Sequence, residues 1–423
     1  MSEQEAIPKK GILRLWRALG PGITTGAADD DPSGVATYSI AGAQFGTHLL
    51  WMSWLTWPLM GTVQMMCARI GMVTDMGLAG VFRKKFPRWL VGIASLALLI
   101  ANVINIGSDL AGMADAANML GLGSTHLYVV VFGVGIAFAA IRLRYHQIAV
   151  VLKWLALVLF AYVATAFIIR PDWSSVLHAA VIPQWPRNHD AWAMVVAILG
   201  TTISPYLFYW QAGQEVEEQN AKGRRLMRHH HAVPDEDIAF RRADVALGTL
   251  FSNVVMFFII LVAALTLGAH GVTDITTTRQ AAEALRPLAG DAAYLLYTVG
   301  IIGTGLLAIP TLAGSAAYAF AETFDWTYGL DRKFPQATSF YAVFALAILA
   351  GIMMDFLKID PFKALFWTAV INGLLAPFLL VGVLLVASDR TLMKGQPSSL
   401  VSRVCVGITT ILMFAAAIGL FVF

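Results

Sequence analysis

Charge is what this chain lacks. Of its 423 residues only 13% are Asp, Glu, Lys or Arg, against 58% hydrophobic, where a soluble domain is about one quarter charged. That excludes an ordinary soluble protein and predicts a polytopic membrane protein. There are only two cysteines, Cys67 and Cys405, both in apolar stretches, so no disulfide framework is expected. The first ten residues are polar and lack the pattern of a cleavable signal peptide. No His-Glu-x-x-His, phosphate loop or nucleophile elbow occurs, and an enzyme is not expected. An acid pair such as Asp30 and Asp31 does not serve as an intramembrane aspartyl protease, because that chemistry needs aspartates from two segments. The net charge of +3 reflects loop asymmetry and implies no nucleic-acid partner.

What is there is a succession of apolar windows of about 20 residues. They centre near 20–46, 49–73, 88–112, 126–141, 147–169, 191–217, 243–268, 292–320, 338–354, 361–387 and 401–422. Alternating these eleven windows from a cytoplasmic N-terminus puts 21 Lys and Arg on the inner side and six on the outer. That asymmetry predicts N-terminus in and C-terminus out, in a multi-pass protein of a bacterial inner membrane. Residues 1–17 read as a cytoplasmic segment and 18–423 as one transmembrane domain. No obligatory protein partner and no cofactor are expected; the bilayer is the surrounding medium.

The first window carries Asp29-Asp30-Asp31-Pro32-Ser33-Gly34. Each aspartate at a bilayer centre costs about 2.5–3.5 kcal/mol, and intramembrane acids are functional candidates by default. Pro32 has no N–H and clashes with the carbonyl four residues back, that of Ala28. The helix must break there, placing a bare carbonyl beside negative charge, which is a description of a cation site. Small residues before and after the break predict close packing at the centre of the bundle.

The sixth window has a second interruption, Gly200-Thr201-Thr202-Ile203-Ser204-Pro205-Tyr206, where Pro205 frees the carbonyl of Thr201. Interrupted helices at corresponding places in two halves point to an inverted-repeat transporter with its site at the midplane. The repeats run at about 18–170 and 190–388, with an extra helix at about 400–423. Pro58, Pro310 and Pro377 read as simple kinks.

These residues carry a resemblance. Gly20-Pro21-Gly22, Asp31-Pro32-Ser33-Gly34 and Ala41-Gly42-Ala43-Gln44-Phe45-Gly46 resemble the first helix of the NRAMP divalent-metal transporters, whose pattern there is G-P-G, D-P-G-N and A-G-A-Q-F-G. The resemblance implies an all-α, LeuT-like fold of two five-helix inverted repeats plus one helix, moving divalent metal by alternating access. Asp31 stands at that family's metal-binding aspartate, and Thr201 at the residue supplying a backbone carbonyl. Four positions depart from it: Gly34 replaces a metal-binding asparagine, Ser204 a methionine, Tyr206 a histidine, and Gly112 an acid of the third helix. Asp109, three residues before Gly112, matches a retained acid. The histidine and third-helix acid are linked in the family to proton movement.

A thioether favours soft or borderline metals, whereas carboxylate, hydroxyl, carbonyl and water oxygens suit magnesium and manganese. Magnesium also sheds water reluctantly, and Gly34 leaves room for it. In these departures the chain is similar to the NRAMP-related magnesium transporters, a branch that leaves the main family's pattern at the same positions. The expected ligands are Asp31, Thr201 and Ser204, with Asp30 adding charge and Gly34 space. Magnesium and manganese are the expected substrates, and transport is expected without proton coupling. The rivals are a proton-coupled manganese or iron transporter of the same family, and an amino-acid or amine carrier of the same fold.

Other polar residues are weighed more lightly. Asn102, Asn105, Ser108 and Asp109 share one face of the third helix, suiting either a pathway or helix–helix bonding. Asp29, Asn105, Tyr206 and Asn372 are candidates around the site, and Gln44 is read as lining the inner exit. Asp115 is expected to be solvated near the outer end, and Lys153 to snorkel. Glu215, Glu217 and Glu218 read as a solvated helix end balanced by the arginines that follow, and His229-His230-His231 as an exposed loop run.

Overall fold

The structure, a computed structural model, describes residues 20–121, 123–142, 157–184, 188–221, 232–357 and 360–422. Residues 1–17, Lys153 and His229–His231 fall outside the described residues. Within them the ordered elements are all helices. The first half comprises α1 (Pro21–Asp29), α2 (Pro32–Phe45), α3 (Trp51–Thr74), α4 (Leu78–Lys85), α5 (Arg88–Asn118), α6 (Thr125–Arg142), α7 (Phe160–Ile169) and α8 (Trp173–Val181). The second comprises α9 (His189–Thr202), α10 (Pro205–Ala221), α11 (Asp235–Thr266), α12 (Ala293–Phe324), α13 (Thr338–Met354), α14 (Pro361–Ser388) and α15 (Leu400–Val422).

Among the described residues eight helices are long and apolar enough to cross a membrane, and α3 with α4, bent by 75°, makes a ninth. The windows near 20–46 and 147–169 are occupied by the broken pair α1–α2 and by the shorter apolar helix Leu157–Ile169. Two segments depart from the expected layout. The basic stretch after α3 is the turned helix α4 rather than a loop. Helix α11 begins at Asp235, ahead of the seventh apolar window, because Asp235, Glu236 and Asp237 lie in its first turn, where acids favour the positive end of the helix dipole.

Both breaks place proline at the first position of the following half, Pro32 in α2 and Pro205 in α10, the one helical position where its missing N–H costs nothing. Glycines then decide how closely these halves pack. A Cβ on Gly26 would lie 2.3 Å from the carbonyl oxygen of Gly248 in α11, and one on Gly200 would lie 2.0 Å from that of Ala369 in α14. Backbone meets backbone at both places. The first broken helix is thus seated on α11 and the second on α14, while α5 packs along α12.

Candidate functional site

The three aspartates turn in different directions. Asp31 is the N-cap of α2: its Oδ1 accepts from the Gly34 amide at 2.7 Å and from Ser33 Oγ at 2.9 Å. Its Oδ2 accepts from Asn105 Nδ2 of α5 at 3.2 Å. Asp29 and Asp30 face α11 instead, where Ser252 Oγ lies 2.6 Å from Asp29 Oδ2 and 3.1 Å from Asp30 Oδ1. One hydroxyl carries one proton, so it can serve only one of the two carboxylates at a time. Asp29 Oδ1 and Asp30 Oδ2 have no hydrogen-bond partner although both residues are at most 1% exposed. Buried polar atoms of this kind require an explanation.

On α5 the polar stripe divides its work. Asn102 donates to the Leu312 carbonyl and to Ser315 Oγ of α12, both at 2.8 Å, and Ser108 lies 3.0 Å from Thr368 of α14. These two hold helices together. Asn105 reaches Asp31, and Asp109, one turn further along, is fully buried with neither carboxyl oxygen hydrogen-bonded. The stripe therefore serves both purposes, bonding at its edges and facing the break at its centre.

The second break lies beside the first. Tyr38 of α2 meets Thr201 Oγ1 at 2.9 Å, and Tyr206 of α10 donates its hydroxyl to the Ala28 carbonyl at 2.9 Å. The carbonyl freed by Pro32 is therefore not bare, as the sequence led us to expect: Tyr206 caps it. Ser204 Oγ lies 2.6 Å from both the Gly200 and Thr201 carbonyls, and its single proton serves one of them at a time. Tyr206→Phe should lower thermal stability by about 1–3 kcal/mol, the cost of stranding a buried carbonyl. Thermal unfolding of the purified variant in detergent measures this.

Gly34 contributes an amide that steadies Asp31; a Cβ there would lie at ordinary contact distance from the Asp29 carbonyl and Asp31 Oδ1, 3.4 Å each, and from the Tyr38 ring at 3.5 Å. Asn372 is 1% exposed with Oδ1 unpartnered, adjacent to the Gly373 contact with α9. Gln44 is exposed at the last turn of α2, beside Gly268 and opposite the end bearing Gly20 and Asp244. Gln44 thus stands at the end of the broken span away from Gly20 and Asp244. The expectation of a solvated helix end at Glu215 is also corrected. Glu215 is 1% exposed and pairs with Arg241 at 2.7 Å, an arginine from the start of α11 and not from the loop. Asp115 lines an open cavity of about 370 Å³ with Asn118, Arg279 and Asp360. Sequence reasoning passed over Ser252, although Ser252-Asn253 in mid-span was a visible polar signal. Tyr38 gave no such signal.

Among the described residues no three His, Cys, Asp or Glu side chains converge as a metal-holding group. The family model described as natural resistance-associated macrophage protein-like matches residues 22–423. The chain belongs to the Nramp family. Among curated Nramp relatives, the divalent metal cation transporter MntH of Caldanaerobacter subterraneus subsp. tengcongensis is 27% identical over 404 residues, covering 90% of this chain and 87% of its own. That of Yersinia enterocolitica is 29% identical over 310 residues, covering 70% and 71%. Among solved structures, the Eremococcus coleocola manganese transporter superposes with a TM-score of 0.78 at 17% identity, over 97% of this chain and 88% of that one. The nucleobase-cation-symport-1 transporter MHP1 gives 0.56 at 13%, over 95% and 92%. The fold is LeuT-like, and the two broken helices lie where such a fold builds a site.

Proposed function

We propose that this chain carries divalent metal cations across a bacterial inner membrane by alternating access, with magnesium and manganese as substrates. It does so through eleven spans, with the N-terminus inside and the C-terminus outside. The observation that carries this reading is Asp31, a buried carboxylate in a helix break, turned toward Asn105 on the helix that also bears the unpartnered Asp109. The names of the curated relatives support divalent metal transport as the class of activity. Thr201 supplies a carbonyl oxygen, Ser204 a hydroxyl and Gly34 room for retained water, while Asp30 adds negative charge. Losing the thioether removes the ligand that favours soft metals, which supports the harder ions.

Tyr206 stands where the family has histidine, and its hydroxyl is engaged by Ala28; this supports transport without proton coupling. An amino-acid carrier fits poorly, since a substrate carboxylate at this break would meet three aspartates. Competition among magnesium, manganese, calcium, iron and cadmium in proteoliposomes containing a pH dye tests the whole reading. Magnesium and manganese should compete and the lumen should not acidify. Iron or cadmium uptake without magnesium or manganese uptake would refute the ion assignment, and lumenal acidification would refute uncoupled transport.

A further inference from the structure

Helix α4 lies flat where its neighbours stand upright. The 24-residue helix α3 is about 36 Å long, enough to cross a hydrocarbon core about 30 Å thick. Turned by 75° from α3, α4 therefore runs near the plane of the membrane surface, at the depth of the lipid headgroups. Its first five residues, Leu78 to Phe82, are buried in the bundle, and the Gly80 amide donates to Glu322 of α12 at 3.0 Å. The last turn emerges carrying Arg83, Lys84 and Lys85, and Arg88 opens α5 shortly after it.

These bases are not equivalent. Arg83 pairs with Asp325 at 3.0 Å and Lys85 with Asp389 at 2.5 Å, so both are engaged within the protein. Lys84 and Arg88 are exposed, and among the described residues neither joins an ion pair. The first turn of α5 holds no acid and no capping side chain to offset Arg88, whose charge sits at the unfavourable end of that helix's dipole. Next to it Trp89 is 67% exposed, and Ile93, Leu96 and Ile100 are exposed further along. At spacings of three and four these side chains form one apolar stripe down α5. Gly92 borders the stripe, and a Cβ there would meet nothing within 4 Å.

We propose that the corner between α4 and α5 binds an anionic phospholipid, its phosphate held by Lys84 and Arg88 and an acyl chain lying along Trp89, Ile93, Leu96 and Ile100. Charge selects the headgroup, because bases at headgroup depth attract anionic lipids and gain little from zwitterionic ones. The stripe selects a lipid over a soluble phosphate, because the apolar surface continues from the two charges into the hydrocarbon. Tryptophan suits the boundary, with an apolar ring and an N–H that reaches the polar layer. A general excess of bases spreads over all the loops of one membrane face. This corner differs in having two unpaired bases flanking the end of a membrane-parallel helix, directly above a continuous apolar stripe.

Only the membrane-spanning fold enters the test, so neither the transported ion nor the orientation of the spans affects its outcome. The full chain carrying Cys67→Ala, Cys405→Ala and Gly92→Cys is labelled with bimane and placed in phosphatidylcholine vesicles containing a small fraction of brominated lipid. At equal mole fraction, brominated phosphatidylglycerol should quench the label as though enriched about tenfold over brominated phosphatidylcholine. Lys84→Gln with Arg88→Gln should reduce that enrichment to about twofold or less. Arg142→Gln with Lys333→Gln removes the same charge from exposed positions elsewhere and should leave the enrichment unchanged. All four positions are exposed, so the variants keep the fold, which thermal unfolding in detergent checks. Equal quenching by the two lipids in the labelled chain overturns the proposal. So does an equal fall in both double variants, which signals attraction by overall charge. Displacement of the lipid by millimolar inorganic phosphate also overturns it, since the site would then be one for a soluble anion.

Discussion

Asp31→Asn is expected to abolish metal-dependent uptake in proteoliposomes and to weaken manganese binding by at least about 100-fold, or roughly 3 kcal/mol. A dication about 4 Å from a carboxylate gains roughly 8 kcal/mol at an effective dielectric of 20, most of it offset by lost hydration. The substitution is chosen because Asp31 has a second occupation. It caps α2 through the Gly34 amide and Ser33, and a cap by itself is worth about 1 kcal/mol. Asparagine caps as well as aspartate does but has no charge. A folded, thermally stable Asp31→Asn variant that no longer binds manganese in calorimetry isolates the charge from the cap. Wild-type binding by that variant would reduce Asp31 to a structural residue.

Ser204→Met should invert the preference among ions. Ser204 is 2% exposed, directly before Pro205 and against the Thr201 carbonyl, and on the proposed reading a thioether introduced there meets the ion. Sulfur stabilises soft and borderline ions and offers little to magnesium. Cadmium competition should strengthen and magnesium transport weaken, changing their ratio by about 10- to 100-fold, roughly 1.4–2.7 kcal/mol. The extra volume strains the pocket by about 1–3 kcal/mol, so the ratio of the two ions, not the absolute rate, is the measurement. A ratio that stays at the wild-type value while total transport falls would mean that position 204 does not meet the ion.

Much of this was legible in the sequence because it depends on local properties. Low charge and long apolar windows specify a membrane protein. A proline inside such a window specifies a break, and aspartates beside it specify where a cation is welcome. The apolar helices and the two breaks are found in the structure because apolar length and proline geometry act within a few residues; the cation is the proposed reading of the aspartates. The layout around α4 and the start of α11 was less visible, since amphipathic ends continue a helix beyond its apolar core. The polar stripe on α5 could be seen as a face, but which members bond and which face the break depends on α12 and α14.

The three aspartates mark the boundary between the two kinds of knowledge. Adjacent, chemically identical and equally expensive to bury, they announce a site without dividing its duties. Their assignment comes from backbone angles that differ by residue, with Asp30 at ψ 53° and Asp31 at ψ 169°, and from the helix each then meets. Asp31 finds Asn105, while Asp29 and Asp30 find Ser252, 74 and more than 200 positions away. The carbonyl at Ala28 shows the same limit: proline sets it free, and only Tyr206, 178 residues on, caps it. Breakage is a property of the chain nearby; what fills the break is chosen by helices the chain brings back from far along its length.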